Sequence, residues 1–330
     1  MVRSERRETS YSRNSLALLV AIVALGIAHL NFDPTCTGGE GGRKHHPRRA
    51  AILPHSVAPE SGTILTSASA ADETGSSGVT AALAGQEDPN RLSGVWAVKM
   101  AAALLQKGCD NFSRVPDYTA NMFKQERIQG ALSDGQNIDL KVRHEPFSIY
   151  MKWQSGDRGR QLIYVQGQND GNMLVQPGGI KGRLTGLLSL EPTGSLALSE
   201  SRYPIMKAGL LQLGFSILEY QKQDIARGTG FRCDLQDRQD FDGRACYLYH
   251  IEYESPEVNA TYRKSLIFID NELLMPICVK NFGWVKDANP QQLDEESLIE
   301  FYAYTDLRMS QELGAVDFDQ HNREYKLRVR

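Results

Sequence analysis

Alternation of apolar and polar residues between Ile138 and Gln176 constrains the fold of this chain more than any other feature. The apolar positions recur at every second residue and resume after a turn at Pro146. They are Ile138, Leu140 and Val142, then Phe147, Ile149, Met151 and Trp153. Successive side chains of a β-strand point to opposite faces of the sheet. The block therefore predicts antiparallel strands with one apolar face and one solvated face.

Residues 1–32 predict export from the cytoplasm. Arginines at positions 3, 6, 7 and 13 precede an apolar run from Leu16 to Ala28, a pattern typical of a signal peptide. An uncleaved anchor in the inner membrane is the alternative, because extension of the run to Phe32 gives a marginal membrane span. In both cases the arginines stay inside and the rest of the chain is exported, into the periplasm or tethered to the membrane. A cytosolic chain is the least favoured interpretation.

Residues 33–90 predict a disordered linker. The segment is rich in Gly, Ser, Ala and Thr, and it buries too little apolar surface to offset the entropy of ordering. Its basic cluster at 43–49 would attract anionic lipid head groups near a bilayer, although a solvated run of charges is the simpler interpretation. Beyond residue 50 the chain carries 29 Lys and Arg against 36 Asp and Glu. This acidic body argues against nucleic acid as a partner.

Residues 91–330 predict a single domain of the α+β class. An apolar stripe that includes Trp96, Val98 and Met100 predicts a first helix over 90–107, ended by Gly108. A second helical segment spans 195–225, with Pro204 at a first helical position. Strands are predicted at 118–128, 138–143, 147–153, 161–167 and 172–176, then again from 231 onward, and at 246–254, 262–270, 276–284 and 298–306. Strands and helices come in separate blocks, which favours one curved antiparallel sheet.

The domain shows no recognisable catalytic or metal-binding motif. None of its histidines, His144, His250 and His321, has the spacing of a metal ligand pair. A Gly-x-Ser-x-Gly nucleophile motif does not occur. The glycine-rich loop at 178–186 fits neither a phosphate-binding loop nor a dinucleotide fingerprint. The sequence therefore predicts a non-catalytic protein that needs no metal and no cofactor.

Four cysteines fall in the domain: Cys109, Cys233, Cys246 and Cys278. An oxidising compartment would permit disulfides. Cys233 and Cys246 flank a hairpin predicted at Asp242-Gly243, and they would meet across its strands in one register. Four cysteines allow three pairings, so buried free thiols are the alternative.

Several stretches of the domain resemble an exported bacterial family of unknown function, domain-of-unknown-function family 1571. They are 118–128 (YTANMFKQERI), 141–153 (KVRHEPFSIYMKW), 163–171 (IYVQGQNDG), 191–195 (EPTGS), 269–276 (IDNELLMP), 302–307 (YAYTDL) and 316–319 (VDFD). The resemblance covers roughly residues 95–325. The family has no established activity, so membership would classify the chain without implying a mechanism.

More distantly, the pattern is similar to the periplasmic lipoprotein carriers and lipoprotein-sorting proteins (LolA/LolB-like). The turn from Arg143 to Phe147 and the late turn from Asp270 to Pro276 occupy the corresponding places. This similarity implies an incompletely closed antiparallel β-barrel, covered by an N-terminal helix and a mid-chain helical segment. In such proteins the concave mouth receives acyl chains.

The first functional hypothesis is an exported protein that binds an acyl chain, a lipid or a lipidated protein. Helices at 91–107 and 204–225 would cover the apolar face, with Leu211 and Leu218 as lid contacts. The ligand-lining candidates are Ile138, Leu140, Val142, Phe147, Ile149, Met151 and Trp153. The same side chains would equally well fill a dry core against the helices.

The second hypothesis is an envelope sensor or structural module, tethered by its N-terminus and binding a protein partner. Its candidate surface is a tyrosine face formed by Tyr247, Tyr249 and Tyr253, because tyrosine is enriched at protein interfaces. An uncharacterised enzyme is the third choice.

Overall fold

The structure is a computed structural model that describes residues 88 and 90–328. The predictions for the export segment (1–32) and for nearly all of the linker (33–90) lie outside these residues. The strands are β1 (Arg91–Ser93), β2 (Asp117–Ile128), β3 (Ala131–Leu132), β4 (Gln136–Arg143), β5 (Ser148–Trp153), β6 (Gln161–Val165), β7 (Met173–Gln176), β8 (Leu188–Leu190), β9 (Phe231–Phe241), β10 (Arg244–Tyr253), β11 (Lys264–Asp270), β12 (Pro276–Phe282) and β13 (Leu298–Met309). The helices are α1 (Gly94–Phe112), α2 (Gly179–Thr185), α3 (Ser195–Leu198), α4 (Leu210–Arg227) and α5 (Leu293–Ser297).

All described strands belong to one antiparallel sheet. Its order is β1-β9-β10-β11-β12-β13-β2-β4-β5-β6-β7-β8, and β3 pairs with β2 alone. Among the described strands, β1 and β8 are the two edges and do not pair with each other, so the sheet is open. The predicted antiparallel α+β class is confirmed.

The alternation that opened the sequence analysis sets the register of β4 and β5. Ile138 lies opposite Trp153, Leu140 opposite Met151, and Val142 opposite Ile149. Each pair places two apolar side chains on the same face, and such cross-strand pairs stabilise a sheet. The β9–β10 hairpin also forms as predicted, with Asp242 and Gly243 both at positive φ in its turn.

Helix α1 covers the inner face of the sheet but differs from its prediction in two ways. Gly108 does not end the helix, which continues to Phe112. A Cβ at Gly108 would meet the Leu274 carbonyl oxygen at 2.0 Å, so this glycine serves a close approach and not a terminus. Trp96 and Met100 are exposed, and the Lys99 ammonium lies over the Trp96 ring. The buried face is Ala97, Val98, Ala101, Leu105, Gly108, Cys109 and Phe112.

Helix α4 begins later than the prediction at Pro204. Pro204 precedes a single 3₁₀ turn, Ile205–Lys207, and α4 starts only after Gly209, whose φ is +93°. The Leu210 backbone N–H donates a hydrogen bond of 2.9 Å to the buried Tyr118 hydroxyl, which ties the start of the helix to β2. No helix among the described residues is both long enough and apolar enough to cross a bilayer.

The C-terminal segment covers part of the outer face of the sheet, which the sequence predicted to be solvated. Phe318 and Tyr325 pack in a second apolar cluster with Tyr150 of β5 and with Ile163 of β6. The Tyr325 ring stacks on the Tyr150 ring at a centroid distance of 3.9 Å. Over β5 to β7 the sheet is therefore buried on both faces. Alternation along β5 could not reveal this cover, because Tyr150 suits either a wet or a buried position.

The pairing considered for Cys233 and Cys246 does not form. Cys233 lies opposite Ile251, whereas Cys246 lies opposite Gln239. The two cysteines are therefore separated by five residues along the hairpin, more than about 15 Å at the rise of a strand. A disulfide needs Cα atoms within about 7 Å. All four cysteines of the domain are free and buried.

We expect these four thiols to be unreactive in the folded protein. Burial raises the pKa of Cys109 and of Cys246 to about 11, and that of Cys233 and of Cys278 to about 12. Because the thiolate is the reactive form, a thiol reagent at about pH 8 should leave them unmodified. The measurement is a titration with Ellman's reagent without reductant, using a Cys36→Ser variant so that only the four cysteines count. Denaturation should release four equivalents, and release of only two would show that a disulfide exists.

Candidate functional site

A cavity of about 940 Å³ lies between the inner face of the sheet and the segment 192–224. This volume is near the upper end of the roughly 300–1,000 Å³ typical of small-molecule pockets. Strands β2, β5, β6, β7 and β10 to β13 supply its floor, and α4 with the loop before it supplies its roof. The cavity therefore spans most of the width of the sheet.

One region of the cavity wall is apolar. The side chains come from six strands and from α4: Met122, Met151, Trp153, Leu162, Met173, Leu213, Ile217, Ile267 and Val279. Three methionines are among them, and Met adapts its unbranched side chain to irregular surfaces. The Trp153 indole N–H donates to Gln136 Oε1 at 3.1 Å, and the Arg160 guanidinium lies 4.9 Å from the ring centroid. This wall can pack against hydrocarbon of variable shape.

A pair of buried carboxylates forms a polar region of the same cavity. Glu126 on β2 lies directly opposite Glu300 on β13, and each side chain is only 2% exposed. Like charges placed opposite each other destabilise a sheet unless they are compensated. The compensation is local. Arg202 Nε donates to Glu300 Oε2 at 3.0 Å, and Lys124 Nζ lies 3.1 Å from Glu126 Oε2.

Two tyrosine hydroxyls and the Asn281 amide also donate hydrogen bonds to these carboxylates. Asn281 Nδ2 and the Tyr262 hydroxyl donate to Glu300 Oε1 at 2.7 and 2.9 Å. The Tyr302 hydroxyl donates to Glu126 Oε1. Burial, together with the negative charge of Glu300, raises the pKa of Tyr262 and of Tyr302. The two hydroxyls therefore stay protonated and remain donors.

A second polar group joins helix α4 to strand β10. The Tyr253 hydroxyl donates to Asp224 Oδ2 at 2.8 Å, and Arg227 lies 3.2 Å from Oδ1 of the same carboxylate. Burial raises the pKa of Asp224, although both partners oppose the shift. One turn earlier, Gln221 is 1% exposed and lines the cavity. Neither its Nε2 nor its Oε1 has a hydrogen-bond partner among the described residues.

Two of the seven predicted ligand-lining residues contact the cavity. Met151 and Trp153 line it. The other five pack in or against the same core cluster as Met151 and Trp153 but do not reach the cavity; they are Ile138, Leu140, Val142, Phe147 and Ile149. These five side chains do not line this cavity, and their contact with a ligand stays a prediction.

The two predicted lid residues also lie outside the cavity. Leu218 is buried in the core cluster, and Leu211 is half-buried against it. The α4 side chains that face the cavity include Leu213, Ile217 and Gln221. The helix was identified, and a lid contact at Leu211 or Leu218 stays a prediction, since neither residue lines this cavity.

The tyrosine face predicted for a protein partner points inward. Tyr249 and Tyr253 are buried and line the cavity, and Tyr247 is half-buried against the core cluster. Tyr249 and Tyr253 are therefore unavailable to a partner on the surface. The period of two grouped these residues correctly but could not say which face is covered.

Sequence reasoning missed the polar residues of the cavity. They can be recognised as polar residues at positions where the hydrophobic period of the strand or helix predicts an apolar residue. Lys124 and Glu126 follow Met122 on one face of β2, and Gln221 follows Ile217 on one face of α4. No group of three or more His, Cys, Asp or Glu side chains within residues 90–328 could hold a metal ion.

Solved structures similar to this chain are distant in sequence. The lipoprotein LppX of Mycobacterium tuberculosis covers 67% of this chain and 99% of its own length, at 14% identity and a TM-score of 0.37. A DUF1329 family protein from Desulfovibrio piger covers 68% and 97%, at 13% identity and a TM-score of 0.32. A LolA superfamily protein from Nitrosomonas europaea covers 66% and 97%, at 13% identity and a TM-score of 0.19. At these scores the function must be argued from the cavity itself.

Sequence comparison gives a stronger assignment than the comparison of structures. No curated protein matches it. A family model described as "Protein of unknown function (DUF1571)" matches residues 115–327, well over half of the chain and nearly all of the described residues. The match runs from just before β2 to the C-terminal segment and so includes most of the cavity. The resemblance found in the sequence is confirmed, and the chain belongs to the DUF1571 family.

Proposed function

We propose that this protein is a non-catalytic binding protein of the cell envelope, which holds an acyl chain, a lipid or the acyl part of a lipidated protein. The ligand lies inside a half-barrel formed by the sheet, under α4. The protein works without a metal or a cofactor. Its N-terminal 32 residues direct export, and it acts in the periplasm, free or tethered to the inner membrane.

The cavity is the observation that carries this proposal. About 940 Å³ of space adjoins Met122, Met151 and Met173 on the floor and Ile217 on the roof. Apolar surface that stays accessible inside a fold gains free energy when hydrocarbon replaces water, about 25 cal/mol per Å². A cavity of this size and wall chemistry fits an acyl chain.

The buried charges of the cavity favour binding over catalysis. A general acid or base must reach a substrate proton with a free lone pair or a free proton. Glu300 instead accepts hydrogen bonds from Asn281, Tyr262 and Arg202. These hydrogen bonds engage the oxygens of the carboxylate, which supports a structural role for Glu300 in the cavity wall.

Native mass spectrometry of the full-length protein, purified from the exported fraction, tests the proposal. We expect protein ions that carry one co-purified lipid or acylated molecule. Protein that is consistently free of lipid, and that fails to take up added acyl compounds, would contradict it. A stable protein partner on lipid-free protein would favour the tethered sensor, the alternative hypothesis from the sequence.

Replacing Trp153 with alanine should weaken acyl binding by about tenfold, because the indole contributes apolar surface to the cavity wall. The measurement is titration of a fluorescent fatty acid into the full-length protein. The matched control is Trp96→Ala, since Trp96 is 65% exposed on α1 and does not line the cavity. Equal affinities for the two variants would show that the ligand lies elsewhere.

A further inference from the structure

We infer that Gln221 is the recognition residue for a neutral, amide-bearing amphiphile, and that its side chain hydrogen-bonds the amide of an acyl amide held in the cavity. The inference deepens the proposed function and rests on it. It names the chemical class of the ligand, an N-acyl compound, and the point on α4 where its polar group binds.

The first observation is the state of the Gln221 side chain. It is 1% exposed, it lines the cavity, and both amide atoms lack a partner among residues 90–328. Buried side-chain amides in folded proteins are almost always hydrogen-bonded, so an exception calls for a functional explanation. A ligand that carries an N–H can donate to Oε1, an acceptor that neither a hydrocarbon nor an ester can satisfy.

The second observation is another unpartnered polar side chain in the lining of the same cavity. The Tyr249 hydroxyl is buried, lines the same cavity and makes no hydrogen bond of ordinary geometry with a described residue. Its nearest candidate is the Cys233 thiol, a weak hydrogen-bonding group. Tyr249 and Gln221 thus offer two unsatisfied polar side chains on opposite walls of one cavity.

The third observation is the charge of the cavity lining, which disfavours an anionic ligand. Six carboxylate side chains line it, against three cationic ones. The carboxylates are Glu126, Asp157, Glu200, Glu219, Asp224 and Glu300, and the cations are Lys124, Arg160 and Lys207. Asp224 lies on the same buried face of α4 as Gln221. Arg227 is already paired with Asp224, so a phosphate or a free carboxylate near Gln221 would compete with that carboxylate for its counter-ion, whereas a neutral amide needs none.

The amide is favoured over the ester because of the unpartnered acceptor. An ester can accept a hydrogen bond from Gln221 Nε2, but it has no donor for Oε1. A secondary amide supplies the missing N–H with almost no change of shape. The comparison of an amide with its matched ester therefore isolates the Oε1 contact.

The test is isothermal titration of the full-length protein with N-methyldodecanamide and with methyl dodecanoate, which differ only by NH against O. We expect the amide to bind roughly fivefold more tightly, the usual effect of one hydrogen bond. The Gln221→Met variant keeps the side-chain length, and it should lose the preference for the amide: the ester should bind it at least as tightly, because the amide N–H would be buried without an acceptor. The control, Gln212→Met on the same helix, lies outside the cavity lining and should keep the preference for the amide.

The outcomes separate this inference from the proposed function. If neither compound binds, the proposed function fails and the inference fails with it. If both bind wild-type protein equally, or if methyl dodecanoate binds more tightly than the amide, the cavity is an acyl site and the role of Gln221 is refuted. A second readout is thermal unfolding of the ligand-free protein. Gln221→Met should raise the midpoint, because it removes an unpartnered buried amide, whereas a lower midpoint would indicate a structural role.

Discussion

Replacing Glu300 with leucine is expected to lower the free energy of unfolding by about 3–5 kcal/mol, the usual range when one partner of a buried ion pair is removed. The carboxylate is 2% exposed and accepts hydrogen bonds from Asn281, Tyr262 and Arg202. Without it, Arg202 Nε and Asn281 Nδ2 lose this acceptor, and the Tyr262 hydroxyl keeps only its contact with the Tyr203 hydroxyl. The Arg202 guanidinium is affected most, because it loses its carboxylate partner. The charge of Glu300 raises the pKa of Arg202, whereas burial lowers it.

Urea denaturation followed by tryptophan fluorescence measures this change. The matched control is Glu252→Leu on β10, where the carboxylate pairs at 3.0 Å with an Arg232 side chain that is 82% exposed. A surface pair of this kind contributes about 0–1 kcal/mol, so the control should remain close to wild type. Similar losses for the two variants would mean that the Glu300 network does not hold the centre of the sheet.

A Leu213→Trp substitution is expected to weaken acyl binding by at least about tenfold. Leu213 is half-buried on α4 and faces the cavity. The added indole would occupy space that the ligand needs. Because that space is already open, folding should be preserved, in contrast to the usual penalty for enlarging a residue in a packed core.

Leu211→Trp is the control for this substitution, because Leu211 lies two residues away on the same helix, is also half-buried and does not line the cavity. Binding of a fluorescent fatty acid and the thermal midpoint would be measured for both variants. If Leu211→Trp blocks binding and Leu213→Trp does not, the ligand approaches the face of α4 that the sequence suggested. In that case our placement of the site would be wrong.

The sequence predicted the sheet far better than it predicted the site. A period of two located β4, β5 and β10 and grouped their side chains by face, because alternation is a local property of a strand. The turn residues Asp242 and Gly243 located a hairpin for the same reason. Helix ends were less certain, since Gly108 reflects a contact with Leu274 that lies far away in sequence.

The division between core and cavity could not be predicted, because it depends on tertiary packing. Ile149 and Met151 share one face of β5 and belong to the same core cluster, yet only Met151 also lines the cavity. What separates them is the position of α1 and α4 over the sheet, which contacts between distant segments determine. Gln221 and Glu126 were detectable in principle as polar residues at apolar positions.

The pairing of β2 with β13 has a consequence for how the chain folds. These neighbours in the sheet come from opposite ends of the domain, and the contact between Glu126 and Tyr302 joins residues 176 positions apart. Closing so long a loop is slow, since its entropy is lost before native contacts compensate for it. Because synthesis proceeds from the N-terminus, β2 emerges well before β13. We expect the hairpins on each side of the β2–β13 pair to form early. The pairing of β2 with β13, which joins the two halves of the sheet, should form last.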